Sequence, residues 1–170
     1  LPEAERFTVE SETEINPTAN KALSGLYRSD GIFCTQCEAE GFRRITYFLD
    51  RPDILSVYSV RIEGPKKECP LLLANGNPLT SGPLAEGWHF AEWHDPHPKP
   101  SYLFALVAGT LVASERRIVT RSGREALLQV WVEPGEEEKT EHAMSALVDA
   151  IRWDEQRFGL ELDLERFMIV

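Results

Sequence analysis

Cys34-Thr35-Gln36-Cys37 has the spacing of a redox pair or of one half of a zinc site. Both uses need more than the pair. A structural zinc takes four ligands, and neither a second Cys-x-x-Cys nor a His-x-x-x-His follows. A thioredoxin-type dithiol opens a helix after a strand, a context this segment lacks. Two ordinary cysteines in a buried loop is therefore the stronger reading. Three of the four histidines, His89, His94 and His97, lie close together, while His142 stands apart. His94 and His97 share a proline-rich loop and His89 falls on a strand pattern, so loop and surface roles are expected rather than ligation. The helical His-Glu-x-x-His of a catalytic zinc is absent, as is the Gly-x-Ser-x-Gly of a serine hydrolase. The chain contains no complete active site of these kinds, and no metal is expected to bind to it.

Asp30 to Arg44 is of another character. Small and polar residues and two acids, Glu38 and Glu40, are packed between Gly31 and Gly41 with no helical or strand period. Such a loop is suited to aiming side chains. On residue types alone, a turn whose acids pair with Arg43 and Arg44 accounts for it better.

The elements that must hold this loop are mostly strands. Short β-like runs separated by turn chemistry fill the first 110 residues or so, the pattern of an antiparallel sheet or sandwich. Thr46 to Leu49 and Leu55 to Ile62 read as strands, the second rich in β-branched and aromatic residues, with Asp50-Arg51-Pro52-Asp53 as the turn between them. Leu71 to Ala74 runs into Asn75-Gly76-Asn77-Pro78, a hairpin or loop signal, and Trp88 to Trp93 alternates as a half-exposed strand. The three prolines of residues 94–100 exclude regular structure there, and Tyr102 to Ala108 reads as a strand buried on both faces.

After Gly109 the pattern changes. Arg117 to Thr120 and Ala126 to Val132 flank Arg121-Ser122-Gly123-Arg124 as a hairpin, and Glu137 to Phe158 is the one long amphipathic helix. Met144, Leu147, Val148, Ile151 and Phe158 fall on one face. Four glutamates sit at its amino end, where the helix dipole favours them, and Gly159 is placed to stop it. A hairpin, a helix and then the apolar strand Phe167 to Val170 read as the opening of an α+β domain, which sets a boundary near residue 110.

Composition excludes several classes. With 28 acidic and 18 basic residues the formal charge is −10, and no Lys/Arg cluster could track a phosphate backbone, so nucleic acid is not a partner. No run approaches the roughly 18 apolar residues of a membrane span, and the start carries no signal-peptide pattern. Three cysteines make no disulfide framework, which suits a reducing compartment, and the cytoplasm is expected. Leu1 is not an initiator methionine and the last residues form an apolar strand without a following turn, so the sequence reads as cut at both ends.

Six stretches carry a resemblance. They are Asn16 to Tyr27, Gly31 to Arg44, Tyr47 to Asp53, Pro98 to Gly109, Thr120 to Glu125 and Trp153 to Leu160. In this order, and over nearly the whole chain, they resemble the zinc metallopeptidases of the bacterial aminopeptidase N (alanyl aminopeptidase) type. The resemblance implies a mainly β fold. Residues 1–110 would be the later part of an N-terminal antiparallel β-sandwich or saddle-like domain, and residues 111–170 the start of a thermolysin-like catalytic domain, truncated before the zinc site. It also implies that Gln36 and Glu38 match the Gln-x-Glu loop that holds the substrate's free α-amine, with a cis Glu38–Ala39 bond. The Gly-Ala-Met-Glu-Asn loop, the zinc ligands, the general base and the transition-state tyrosine of such enzymes match nothing in this sequence.

The function implied is that of a zinc-dependent aminopeptidase releasing N-terminal residues from peptides. This segment would supply the amine anchor and be inert alone. Its partners would be peptides bound by their free N-terminus and the remainder of the catalytic domain. A reading from another class is a free-standing, non-catalytic β-rich binding or scaffold domain, which a natural stop codon after Val170 would favour.

Overall fold

The computed structural model describes residues 6–170. Among the described residues, ten strands form three sheets, and one long helix packs on the third of them. The first sheet is built from β1 (Gly25–Ser29), β2 (Ile32–Gln36), β4 (Leu71–Ala74) and β7 (Leu106–Gly109), in the order β1-β2-β7-β4, antiparallel throughout. The second contains β3 (Ser56–Pro65), β5 (Asn77–Pro83) and β6 (Trp88–Lys99), in the antiparallel order β3-β6-β5. The third contains β8 (Val112–Val119), β9 (Glu125–Val132) and β10 (Arg166–Ile169), with β9 central. A 3-10 turn over Glu137–Thr140 leads into helix α1 (Glu141–Arg157).

β8 and β9 are an antiparallel hairpin, whereas β10 lies parallel to β9. Parallel neighbours need a crossover, and α1 supplies it. Period-two alternation along β9 then builds two cores at once. Ala126, Leu128 and Val130 face α1, packing with Ile118, Met144, Leu147 and Ile151. Trp131 points the other way, into a cluster of Ile62, Leu72, Leu73, Trp93 and Ala108 from the first two sheets. On β10, Ile169 joins the helix-side cluster and Met168 the other. The third sheet is thus a middle layer between the helix and the β-rich part. Trp93 locks that part from within, its indole Nε1 donating to the Leu72 carbonyl at 3.1 Å.

The fold is mainly β, antiparallel in its first two sheets, with a single long helix, as the sequence implied. Several local readings are corrected. Asp30 to Arg44 is not all loop: its first part is the return strand of a β1–β2 hairpin, turned by Asp30 (φ 46°) and Gly31 (φ 87°). An Asp-Gly pair with positive φ at both positions is a favoured hairpin turn, a signal the pattern reading passed over. Thr46 to Leu49 forms no strand. Its flanks, Phe42 and Asp50, are buried and joined through Arg43, so the segment loops outward with Tyr47 82% exposed and no strand beside it.

β6 does not stop at Trp93 but continues through the prolines to Lys99. Its pairing with β5 ends at His94, so Pro96 and Pro98 sit where β6 has only β3 beside it and a missing N–H costs no second ladder. The strand expected over Tyr102 to Ala108 is only β7; the Asn75 side chain holds the Leu103 carbonyl and the Ala105 N–H, fixing a bend before it. Asn75-Gly76 is a crossing between two sheets rather than a hairpin, since β4 and β5 do not pair. Phe158, expected on the buried helix face, is 59% exposed and packs edge-on to Trp153. It caps the helix outside the last turn, where Gly159 (φ 68°) redirects the chain.

Candidate functional site

The loop after β2 is made by a chain reversal anchored at both ends. Cys37 (3% exposed) and Phe42 (6% exposed) are buried together against Tyr58, with Phe104 edge-on to Phe42 at 5.1 Å. Between them Glu38, Ala39 and Glu40 are exposed. The Gly41 N–H donates to the Cys37 carbonyl at 2.8 Å and closes the turn. Gly41 is required by close approach: a Cβ there would meet the Gln36 carbonyl oxygen at 2.3 Å and the Cys37 Cα at 2.9 Å. The Glu38–Ala39 bond is cis.

Gln36 is the exposed last residue of β2, and its Nε2 donates to the Glu38 carbonyl at 3.3 Å. Glu38 accepts no hydrogen bond from a side chain and makes no ion pair among the described residues; Glu40 is 3.7 Å from Arg43. The two acids therefore differ. Glu40 is the turn's own ion-pair partner, whereas the Glu38 carboxylate is left without a side-chain partner among the described residues, the Gln36 amide bonding only the Glu38 backbone carbonyl.

Behind the turn lies an arrangement that sequence reasoning missed. The buried Asp50 carboxylate accepts from the Arg43 backbone N–H and from Arg43 Nε, both at 3.0 Å, and from the Ser101 hydroxyl; Arg43 Nη2 also donates to the Asp50 carbonyl at 2.8 Å. It fastens the turn to the β6–β7 connection. Nothing local marks it, because Ser101 lies 51 positions after Asp50. Burial by itself would raise the Asp50 carboxyl, but the bonds from Ser101 and Arg43 outweigh it and hold the group below its ordinary value. A lowered folded-state value means stabilisation that is present above the unfolded value and lost as the pH falls. Asp50→Asn is expected to destabilise the chain by about 1–3 kcal/mol at pH 7, near the lower figure because Arg43 is half exposed. In urea titrations the gap from wild type should start to narrow near about pH 3.9, the unfolded value, and close as the pH falls on through the lower folded value; a gap that does not narrow with falling pH would show that shape, not charge, is what Asn loses.

The cysteines and histidines do not form a site. Cys37 is in the core, where burial first and the Asp50 charge second push its thiol up to about 11, the reverse of a reactive thiolate. Cys69 is buried too, and Cys34 is partly exposed on β2. Iodoacetamide at pH 8 is expected to label no more than one thiol of the native chain and three after denaturation; mass spectrometry finding Cys37 modified in the folded chain would contradict the buried-anchor role. Each of the clustered histidines has a local partner: His89 Nε2 at 2.6 Å from the Cys69 carbonyl, His94 Nδ1 at 2.8 Å from Ser59 Oγ, His97 Nε2 at 3.5 Å from Asp163. Among the described residues, no group of three or more His, Cys, Asp or Glu could hold a metal ion. Nor is any helix there long and apolar enough to cross a membrane.

The exposed Gln36-x-Glu38 turn thus follows strand β2 on a mainly β scaffold. Residues 2–103 match the Peptidase M1 N-terminal domain, and the chain belongs to that family. It is 60% identical over 164 residues to aminopeptidase N of Caulobacter vibrioides, covering 96% of this chain and 19% of that protein. To aminopeptidase N of Escherichia coli it is 51% identical, over 98% of this chain and 19% of that one. Among solved structures it is similar to Legionella pneumophila aminopeptidase A in complex with aspartic acid, with a TM-score of 0.85 and 42% identity, over 88% of this chain and 18% of that one. The chain thus spans about a fifth of the length of these relatives.

Proposed function

We propose that the chain is the part of a zinc-dependent aminopeptidase that receives the free α-amine of a peptide, through Glu38 and Gln36. One observation carries this reading: Glu38 is an exposed carboxylate without a side-chain partner among the described residues, on a turn fixed by Cys37, Gly41 and Phe42. A carboxylate accepts charge-assisted bonds from an ammonium, and the Gln36 amide oxygen adds a neutral acceptor. An acylated terminus could not make those bonds and would leave Glu38 desolvated and underpaired, at a cost of about 1–3 kcal/mol. Holding the amine at a fixed place also fixes which peptide bond lies at the reacting position, so cleavage is confined to the first bond.

Among the described residues no group of His, Cys, Asp or Glu fits a zinc ion; in this reading the metal is held by the remainder of the parent protein and the chain by itself is inert. The same reading assigns residues 1–110 to an N-terminal β-domain and 111–170 to the opening of the catalytic domain. Support comes from the change of sheet between Gly109, which ends β7, and Val112, which begins β8. The partners are peptides and the rest of the catalytic domain, without nucleic acid or membrane, in the cytoplasm.

The test is hydrolysis by the complete polypeptide. Alanine p-nitroanilide should be cleaved, its N-acetyl form should not, and a chelator should abolish the activity. Equal cleavage of the acetylated anilide would remove the amine-anchor reading, and a complete protein with no peptidase activity would return the chain to the class of binding modules.

A further inference from the structure

The tip of the turn, Glu38 to Glu40, is exposed, and the hydrogen bonds at it are the turn's own: the Gly41 N–H to the Cys37 carbonyl and Gln36 Nε2 to the Glu38 carbonyl. Where the Glu38 carboxylate stands is therefore set by how the two flanks of the turn are seated. Both flanks end on one short piece of chain, Ser101 to Leu106, which closes the β6–β7 connection and starts β7.

On the incoming side the β2–β7 ladder ends at the Cys34–Val107 pair. One residue further, directly before Gln36, a side chain takes its place: the Leu106 N–H donates to Thr35 Oγ1 at 2.9 Å. On the outgoing side Phe104 packs edge-on to Phe42 at 5.1 Å. The Ser101 hydroxyl, 1% exposed with its residue, donates to one Asp50 oxygen, while the other accepts from the Arg43 N–H and Nε. The segment is itself stiffened. Ser101–Leu103 is a 3-10 turn in which the Phe104 N–H donates to the Ser101 carbonyl at 3.1 Å. The Asn75 side chain then bridges the Leu103 carbonyl and the Ala105 N–H.

Three attachments of different chemistry, spread over both flanks of one turn, over-determine its place. An anchor for a small group needs this, because a small shift of the anchor carries the scissile bond away from the reacting position. We propose that Ser101 to Leu106 is the seat of the amine-binding turn, with two positioning residues for peptide hydrolysis: Ser101, acting through Asp50 and Arg43, and Thr35, acting through Leu106. The inference rests on the reading of Glu38 as the amine anchor. Neither residue touches substrate in it; each acts only through where it holds the Glu38 carboxylate.

The test is a double-mutant cycle on the complete polypeptide, with alanine p-nitroanilide as substrate. Ser101→Ala and Thr35→Val should each lower kcat/KM by roughly tenfold, less than the loss of about a hundredfold that a displacement of a full ångström can cause. In the Glu38→Ala background the same substitutions should cost no more than about twofold, because an interaction already removed cannot be misaligned. Thr35→Ser, which keeps the hydroxyl, should retain near-wild-type kcat/KM. Losses of equal size in both backgrounds would show a structural role alone and overturn the proposal while leaving Glu38 as the anchor. Unchanged kcat/KM in both Ser101→Ala and Thr35→Val would do the same. Near-normal activity of Glu38→Ala removes the anchor reading instead, and this proposal with it. Should Ser101→Ala fail to fold, the Thr35 pair decides: a loss in Thr35→Val that Thr35→Ser shares overturns the role of the hydroxyl.

Discussion

If Glu38 is the proposed amine anchor, Glu38→Ala in the complete polypeptide is expected to lower kcat/KM for an amino-acid anilide by roughly 30- to 1000-fold, the equivalent of about 2–4 kcal/mol of lost charge-assisted binding. Zinc content measured on the same samples should be unchanged. The structure makes this a clean substitution, because the turn is held by Cys37, Phe42 and the Gly41–Cys37 bond rather than by Glu38. Removing the carboxylate should therefore leave the loop in place. Glu38→Gln keeps the shape without the charge and falls between wild type and Ala. Glu40→Ala is the control: it removes only a 3.7 Å exposed pairing with Arg43, and surface pairs of that kind contribute about 0–1 kcal/mol. Near-normal kcat/KM for Glu38→Ala, or a loss explained by missing zinc, would leave the turn with a structural role alone.

Leu128→Ala is expected to destabilise the 170-residue chain by about 2–5 kcal/mol. Leu128 is 0% exposed at the centre of β9, covered by α1 on one side and flanked by Ala126 and Val130 on its own strand. Its neighbours belong to a helix and two strands that cannot all move inward, so the cavity stays open. For a chain of this length each kcal/mol is about 2–4 °C in Tm, giving a fall of roughly 4–20 °C by circular dichroism. Val119→Ala, at a half-exposed position on neighbouring β8, should change Tm by no more than a degree or two. A Leu128→Ala loss below about 1 kcal/mol would mean that the helix does not pack on β9 as described.

How much was legible beforehand varied with the range of the forces involved. The helix was readable because its apolar spacing is local, and α1 with its preceding 3-10 turn occupies nearly the expected span. The β8–β9 hairpin and the strands β3 and β4 were readable for the same reason. Misreadings fell where a distant partner decides. Tyr47, Phe48 and Leu49 have strand-like residue types, but a strand needs a neighbour, and the Arg43–Asp50 clamp turns them away from any. Pro96 and Pro98 look incompatible with a strand until the end of β5 shows that one side of β6 is unpaired there.

The candidate site divides in the same way. Residue order alone determined the mainly β class and, through the resemblance, singled out Gln36 and Glu38, because residue identity and spacing survive without coordinates. It could not separate Glu38 from Glu40 by environment. Only the tertiary structure did that, pairing Glu40 with Arg43 and leaving the Glu38 carboxylate unpaired. It also supplied the brace of Arg43, Asp50 and Ser101, and it set Arg166 beside Gln129. These groups are far apart along the chain, and what joins them is strand pairing and core packing, which depend on the whole sequence at once rather than on any stretch of it.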